Sequence, residues 1–86
     1  MEYLTLQICT PEGVCFDGKI ISVTARTTVG DICIMNHHAN YMTTIENGSI
    51  VIKTEDKEIR GVCGGGVLSV CDNAVRIIVN KFDIKT

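Results

Sequence analysis

The 86-residue sequence lacks the features that define several common classes of protein. None of its apolar runs approaches the ~18–20 residues that a membrane-spanning helix needs, so we expect no direct insertion into a membrane. The N-terminal stretch MEYLTLQICT has no basic segment followed by an apolar run and a small-residue cleavage site, which argues against an export signal. We therefore expect the chain to stay in the cytoplasm, soluble unless a partner holds it at a membrane.

Positive charge is neither abundant nor clustered in this chain. The eight Lys and Arg side chains are spread over its whole length, and the formal net charge is −2. A protein that binds a phosphate backbone normally presents a basic patch or stripe that neutralises several phosphates. Nucleic acid is therefore not an expected partner.

The five cysteines contain no Cys-x-x-Cys pair, and their number is odd. Without an export signal, a disulfide framework is not expected. Free thiols that behave as small hydrophobic side chains are the simpler interpretation.

The segment GDICIMNHHAN, residues 30–40, holds three potential ligands for a metal, Cys33, His37 and His38. A distant cysteine could complete a tetrahedral zinc set. However, adjacent histidines are poorly placed to bind one ion together, and a nucleophilic Cys/His pair would need an orienting residue and a pocket that so small a core hardly permits. We expect no metal, cofactor or catalytic residue. A small β-domain that binds metal or senses redox state through its thiols stays open as the alternative function.

Apolar and polar residues alternate with a period of two along much of the chain, as in Leu4, Leu6 and Ile8, which is typical of half-buried strands. Turn signals separate these segments: Pro11-Glu12-Gly13, Asp17-Gly18, Val29-Gly30-Asp31, Asn47-Gly48, Glu55-Asp56-Lys57 and Asp72-Asn73. Short strands with turns about every 8–12 residues favour an all-β sandwich or barrel. We predict a single domain over residues 1–86 without helices, an all-β fold with an antiparallel β-sandwich of about nine or ten short strands. The predicted strands are 3–9, 14–16, 19–26, 31–34, 41–46, 49–55, 57–63, 66–71 and 74–80.

Two local signals refine this prediction. The turns at Asn47-Gly48 and Asp56-Lys57 suggest consecutive antiparallel hairpins, because Asn and Gly tolerate the positive φ that tight hairpins need. The triple glycine at 64–66 would weaken a strand unless the backbone bulges or approaches another surface closely. A phosphate-binding loop would end in Gly-Lys-Ser/Thr before a helix, whereas the following VLSV indicates a strand. A bulge or a close backbone contact is therefore the favoured interpretation.

Several stretches, taken in order, carry a resemblance to a known family. They are LTLQICTPEGVCFDGKIISV, GDICIMNHHANYMTTIENGSIVI, GGVLSV and NAVRIIVN, which follow one another in unbroken order over roughly residues 3–80. The chain resembles the N-terminal β-sandwich domain of the epsilon subunit of bacterial rotary (F-type) ATP synthases. In that family the corresponding stretches hold a Thr-Pro-Asp/Glu-Gly turn, a His-Ala-Pro corner, a Gly-Gly-Phe-Leu-Glu-Val strand and a Val-Thr-Ile-Leu strand. The ordered set carries the resemblance, since no single motif is specific.

The resemblance implies a non-catalytic rotor subunit of the central stalk, on the cytoplasmic side of the cell membrane and peripheral to it. Such a subunit links the gamma subunit to the membrane ring and couples ion translocation, typically of hydrogen ions, to ATP synthesis or hydrolysis. It implies a ring-facing foot formed by residues between Gly30 and Asn40, namely Gly30, Asp31, Met35, His37, His38, Ala39 and Asn40. Our candidates for the gamma-facing surface are Tyr41, Met42, Gly65, Gly66 and Val67, because an exposed apolar strip in a small domain usually marks a partner surface.

The chain also departs from the family pattern. Cys33 stands where the family has a glycine, Asn36 and Asn40 where it has prolines, and Ser69 where it has a glutamate. Most members continue into a pair of C-terminal helices that can brake ATP hydrolysis and, in some members, bind ATP, whereas this sequence stops at Thr86. If the sequence is complete, the resemblance implies that this subunit has no braking arm and no nucleotide site.

Overall fold

A computed structural model describes residues 3–85 of the chain. Its described part contains nine β-strands, which confirms the all-β prediction. The strands are β1 (Leu4–Thr10), β2 (Gly13–Ile20), β3 (Ser22–Thr27), β4 (Gly30–Met35), β5 (Tyr41–Lys53), β6 (Glu58–Cys63), β7 (Gly66–Cys71), β8 (Ala74–Val79) and β9 (Phe82–Lys85).

The strands pair into one sheet that curls into two packed layers. The first layer has the order β2-β1-β8-β7-β5, and β3 and β4 follow on the other side of β5. The second layer is completed by β6, which pairs with the C-terminal half of β5, and by β9, which pairs with β6. Within residues 3–85 every strand pair is antiparallel except β1 with β8, which is parallel.

The core follows directly from the alternation in the sequence. In β1, Leu4, Leu6 and Ile8 are buried, while the intervening residues face outwards. The same alternation places side chains from seven other strands in the interior, because successive residues of a strand point to opposite sides of the sheet. The largest of these are Ile20, Val23, Ile34, Ile45, Ile50, Ile52, Leu68, Ile77 and Val79.

The predicted hairpin turn at Asn47-Gly48 is wrong, because β5 runs through it without reversing. Residues 41–45 of β5 pair with β7 and residues 48–53 pair with β6. On its other side β5 pairs with β3, where Ala25 faces Ile50 and Thr27 faces Ile45, so that extra residues of β5 bulge out between these two pairs. Asn47-Gly48 lies in this bulge, where the strand passes from one layer to the other, since bulges bend the strand that carries them.

The turn at Asp17-Gly18 is also wrong, because both residues lie inside β2 and pair with β1. The chain instead bends at the single residue Ile21, between β2 and β3, which do not pair with each other. Strand β9 was not predicted, because its four residues are too few to show a clear period. The turns at Pro11-Glu12 and Asp72-Asn73 are confirmed, as is the hairpin between β5 and β6.

The triple glycine makes the close backbone contact that the sequence predicts. A Cβ atom added at Gly66 would overlap the backbone carbonyl of Ile78, and one at Gly64 would overlap the side chain of Asn80. The Gly64 N–H donates to the Lys81 carbonyl over 3.0 Å. Glycine is therefore needed here so that β7 can lie against β8 and the following loop.

Candidate partner-binding surfaces

The β3–β4 hairpin forms one end of the molecule and carries two of the predicted foot residues, Gly30 and Asp31. Gly30 has a positive φ of 117°, which favours glycine at the turn. The buried Thr27 hydroxyl donates to the Gly30 carbonyl over 2.6 Å and accepts the Val29 N–H over 3.2 Å. Asp31 pairs with Arg26 across the two strands, with 3.4 Å between the Oδ1 and Nε atoms. The hairpin therefore presents a fixed turn with one exposed ion pair.

The corner between β4 and β5 holds the other foot residues. His37 has a positive φ of 66°, and the His38 N–H donates to the Met35 carbonyl over 3.1 Å. The His38 Nδ1 atom lies 2.7 Å from the Ala39 carbonyl, and the His38 ring packs against the Tyr41 ring with 5.9 Å between centroids. Asn40 accepts a hydrogen bond from the backbone N–H of Asp72, in the β7–β8 turn.

The predicted foot does not form a single surface in this fold. Gly30 and Met35 are the first and last residues of β4, and a strand of that length spans about 16–17 Å at ~3.3 Å per residue. Gly30 and Asp31 therefore lie at one end of the domain, while His37, His38, Ala39 and Asn40 lie at the other.

The gamma-facing candidates also fall into different places. Met42 and Val67 face outwards from the first layer. Tyr41 pairs with Val70 and lies on the opposite side of β5, beside His38. Gly65 and Gly66 lie against β5 and β8. Of these candidates, Met42 and Val67 present apolar side chains on a common outer face.

An apolar row crosses this outer face of the first layer. Strand register places Val67 opposite Ile78, Ile78 opposite Cys9, and Cys9 opposite Val14. Three of these side chains are 42–57% exposed, and the neighbouring Met42 is 71% exposed. We call Met42, Val67, Ile78, Cys9 and Val14 the apolar row.

Sequence reasoning found Met42 and Val67 but missed Ile78, Cys9 and Val14. These residues are far apart in the chain and become neighbours only through the pairing of β8, β1 and β2. The sequence of β8 does contain one signal of this surface. Ile78 lies between the buried Ile77 and Val79, so its side chain points outwards, and it is apolar where an exposed strand residue is usually polar.

The outer face of the second layer has a different chemical character. Among residues 3–85, its exposed side chains are mostly charged and include two ion pairs, Arg26 with Asp31 and Arg60 with Glu58. The Arg60–Glu58 pair has 2.6 Å between its Nη2 and Oε2 atoms. The two outer faces therefore differ in polarity, and the apolar one is the better candidate for a surface that a partner covers.

The cysteines and histidines were the other candidates for chemistry. Within residues 3–85, no group of three or more His, Cys, Asp or Glu side chains is placed to hold a metal ion. Cys9, Cys15, Cys33, Cys63 and Cys71 all have free thiols, and burial raises the pKa of Cys63. The structure thus does not assemble Cys33, His37 and His38 into a ligand set. No helix among the described residues is long and apolar enough to cross a membrane.

Comparison with known proteins gives a consistent result over nearly the whole chain. The profile of the family described as "ATP synthase, Delta/Epsilon chain, beta-sandwich domain" matches residues 3–84. An ATP synthase epsilon chain of Brevibacillus brevis is 33% identical over 98% of this chain, and one of Sulfurimonas denitrificans is 35% identical over 92%. The matches span 64% and 62% of those two relatives, so this chain corresponds to somewhat under two thirds of their length.

Two solved structures share the fold. A chain in the cryo-EM structure of the Euglena gracilis mitochondrial ATP synthase (OSCP/F1/c-ring) matches 95% of this chain with a TM-score of 0.90 and 19% identity, over 53% of its own length. A chain in the central stalk/c-ring structure of the Tetrahymena thermophila mitochondrial ATP synthase matches 94% with a TM-score of 0.79 and 21% identity, over 66% of its own length. Because the family profile covers residues 3–84, the chain belongs to the ATP synthase delta/epsilon chain β-sandwich domain family.

Proposed function

We propose that this chain is a non-catalytic subunit of the central rotor stalk of an F-type ATP synthase, peripheral to the membrane on its cytoplasmic side. In this role it links the gamma subunit to the membrane ring and couples ion translocation to ATP synthesis or hydrolysis elsewhere in the complex. Membership of the family, the epsilon-chain relatives and the ATP synthase assemblies named for the structural neighbours support this proposal.

The physical requirement for such a subunit is stiffness rather than bond chemistry. A part that transmits torque must not shear, and two packed β-layers resist shear because backbone hydrogen bonds cross-link their strands and the interior is close-packed. In this chain β5 belongs to both layers and ties them together through its 13 residues.

The observation that carries the proposal is the apolar row on the outer face of the first layer. An interface that stays formed during rotation should be large and apolar, and interfaces of that kind commonly bury about 2,000 Å² or more. We therefore assign the gamma-facing surface to the apolar row. This keeps the predicted Met42 and Val67 and adds Ile78, Cys9 and Val14.

The substitution Ile78→Glu tests this assignment. Ile78 is 53% exposed, so the change should leave the fold intact while placing a charge in the centre of the contact. A pull-down with the gamma subunit of the same organism should lose most of the bound chain. Ser49→Glu, at an exposed position of β5 in the second layer, is the matched control and should bind as the wild type does. Equal binding by Ile78→Glu would remove the apolar row from the interface.

The ring-facing surface is proposed at the β3–β4 hairpin, around Gly30 and Asp31. The two ends of β4 point in opposite directions, so the flat surface of a membrane ring can meet one of them. The corner of His37, His38, Ala39 and Asn40 leads directly into Met42, and we propose that it belongs to the gamma side.

The substitution Asp31→Arg tests the ring contact. The Arg26 and Asp31 side chains are 60% and 62% exposed, and exposed pairs of this kind contribute only about 0–1 kcal/mol to stability. The variant should therefore fold normally but co-purify with less of the ring. Asp83→Arg, which makes the same charge change on the exposed β9, should retain the ring. Unchanged retention by Asp31→Arg would count against the hairpin as the ring contact.

A further inference from the structure

A set of asparagine side chains joins two loops that are far apart in the sequence. The Asn73 side chain, in the β7–β8 turn, donates from Nδ2 to the Asn36 Oδ1 atom over 2.6 Å. Its Oδ1 atom accepts the backbone N–H of His37 over 2.9 Å. The Asn40 Oδ1 atom accepts the backbone N–H of Asp72 over 3.0 Å. These three bonds connect the β4–β5 corner with the β7–β8 turn, and we call Asn36, Asn40 and Asn73 the asparagine lock.

The lock acts on backbone in a conformation that is uncommon for residues other than glycine. His37, Asp72 and Asn73 have positive φ values of 66°, 50° and 64°, a region that non-glycine residues seldom adopt without help from their surroundings. The corner spans five residues between β4 and β5, and loops of this kind open locally unless hydrogen bonds hold them. The Asn73 carbonyl also accepts the Thr5 N–H over 3.0 Å, which ties the turn to β1 in the first layer.

The corner leads without a break into the surface assigned to gamma. The His38 ring packs on the Tyr41 ring at the start of β5, and Met42 of the apolar row follows. A surface that is already fixed before it meets its partner avoids the loss of conformational entropy on binding. Whatever fixes the corner therefore also sets the position of His38, Tyr41 and Met42.

We propose that Asn36, Asn40 and Asn73 are positioning residues that hold the β4–β5 corner on the β7–β8 turn and so preform the edge of the gamma-facing surface. The partner assignment rests on the proposed function. The joining of the two loops does not depend on it.

A double-mutant cycle at Asn36 and Asn73 separates this proposal from a general loss of stability. In Asn36→Asp the new carboxylate still accepts from Asn73, and in Asn73→Asp the Asn36 amide can turn over and donate instead. In Asn36→Asp/Asn73→Asp two carboxylates face each other with no donor between them, so the bond is lost and the charges repel. The double variant should therefore lose far more protection from amide exchange, and far more affinity for the gamma subunit, than the two single variants lose together.

Two measurements at neutral pH test the double-mutant cycle. Amide hydrogen exchange in the free chain should speed up at His37 and Asp72 in the double variant, while the Val29 amide, which is bonded to the Thr27 hydroxyl at the opposite end of β4, should not change. Affinity for the gamma subunit should fall by on the order of 10-fold or more in the double variant and by less than about 3-fold in each single variant. Both readings are taken far below the unfolding temperature, so that the folded fraction is the same for all variants.

Acidification provides a rescue. Two carboxylates at hydrogen-bond distance share a proton once the pH falls below the raised pKa of the pair, and the shared proton restores the bridge. The free energy of unfolding that the double variant loses relative to the wild type should therefore become smaller as the pH falls from 7 to about 4. If the two substitutions acted independently, the loss would show no such recovery.

The possible outcomes discriminate between the two proposals. Unchanged exchange at His37 and Asp72 in the double variant would overturn the lock, and so would strictly additive effects on exchange. If exchange changes but gamma affinity does not, the lock exists and the positioning role is wrong. If the wild-type chain does not bind gamma, the proposed partner is wrong, and the exchange data alone decide whether the lock joins the loops.

Discussion

At the scale of single residues, the fold depends on close backbone approaches that leave no room for a side chain. Gly66 lies against the Ile78 carbonyl and Gly64 against the Asn80 side chain. Glycine is less critical at position 18, since a Cβ atom on Gly18 would meet only the Phe16 ring at 3.9 Å. The difference depends on which strand lies beside each glycine.

This contrast predicts different effects for two equivalent substitutions. Gly66→Ala should lower the free energy of unfolding by about 3 kcal/mol, because β7 must move away from β8 to admit the methyl group. Gly18→Ala should change it by less than about 1 kcal/mol, because the site has ordinary contacts and the substitution restricts the unfolded chain. Urea denaturation of both variants measures the difference. Equal effects would show that the β7–β8 contact is not tight.

The thiols give a second prediction at this scale, since burial raises the pKa of Cys63. A raised pKa means less thiolate at any given pH, and thiolate is the reactive form. At pH 8 iodoacetamide should therefore modify Cys63 much more slowly than the exposed Cys15 and Cys33. The same shift makes folding stability fall as the pH rises above the pKa of the unfolded thiol, ~8.5. Alkylation at all three sites at similar rates, mapped by mass spectrometry, would contradict this account of Cys63.

At the scale of elements, strands in which apolar and polar residues clearly alternate could be predicted from the sequence. The turns and pairings that connect these strands could be predicted only in part. The segments around Leu4–Ile8 and Val75–Val79 are strands in the structure because one face of each must be buried. Asn47-Gly48 is a strong local hairpin signal, but Ile45 and Ile50 both pair with β3, and this long-range pairing keeps β5 as one strand. The parallel pairing of β1 with β8 joins the two ends of the chain, and no local pattern encodes it.

The hydrogen bonds of the Thr27 hydroxyl should stabilise the β3–β4 hairpin. Thr27→Val keeps the shape of a buried side chain and removes the hydroxyl that bonds to Gly30 and Val29. Unfolding free energy should fall by about 1–2 kcal/mol, because hydrogen-bonding groups of the turn lose their partner. Thr24→Val, on the half-buried outer side of the same strand, is the matched control and should change stability by less than about 0.5 kcal/mol. Faster exchange of the Val29 amide in Thr27→Val would locate the effect in the turn. A wild-type stability for Thr27→Val would show that the hydroxyl bonds do not fix the hairpin.

At the scale of the whole molecule, the two outer faces are the feature that matters for assembly. One carries the apolar row and the other carries mostly charged side chains. The resemblance to the family placed residues from both ends of β4 in a single foot. The extended strand separates them, and the apolar row gathers residues from β2, β1, β8, β7 and β5 that no sequence window contains together.

The central claim is that the outer face of the first layer is the one a stalk partner covers, and two native thiols report on it directly. Cys9 belongs to the apolar row, whereas Cys33 is exposed on the outer side of the second layer. Alkylation rates of both thiols should be compared in the free chain and in the assembled rotor. We predict that modification of Cys9 slows by on the order of 10-fold or more on assembly while that of Cys33 changes little. Shielding of Cys33 with Cys9 left as reactive as in the free chain would contradict the account.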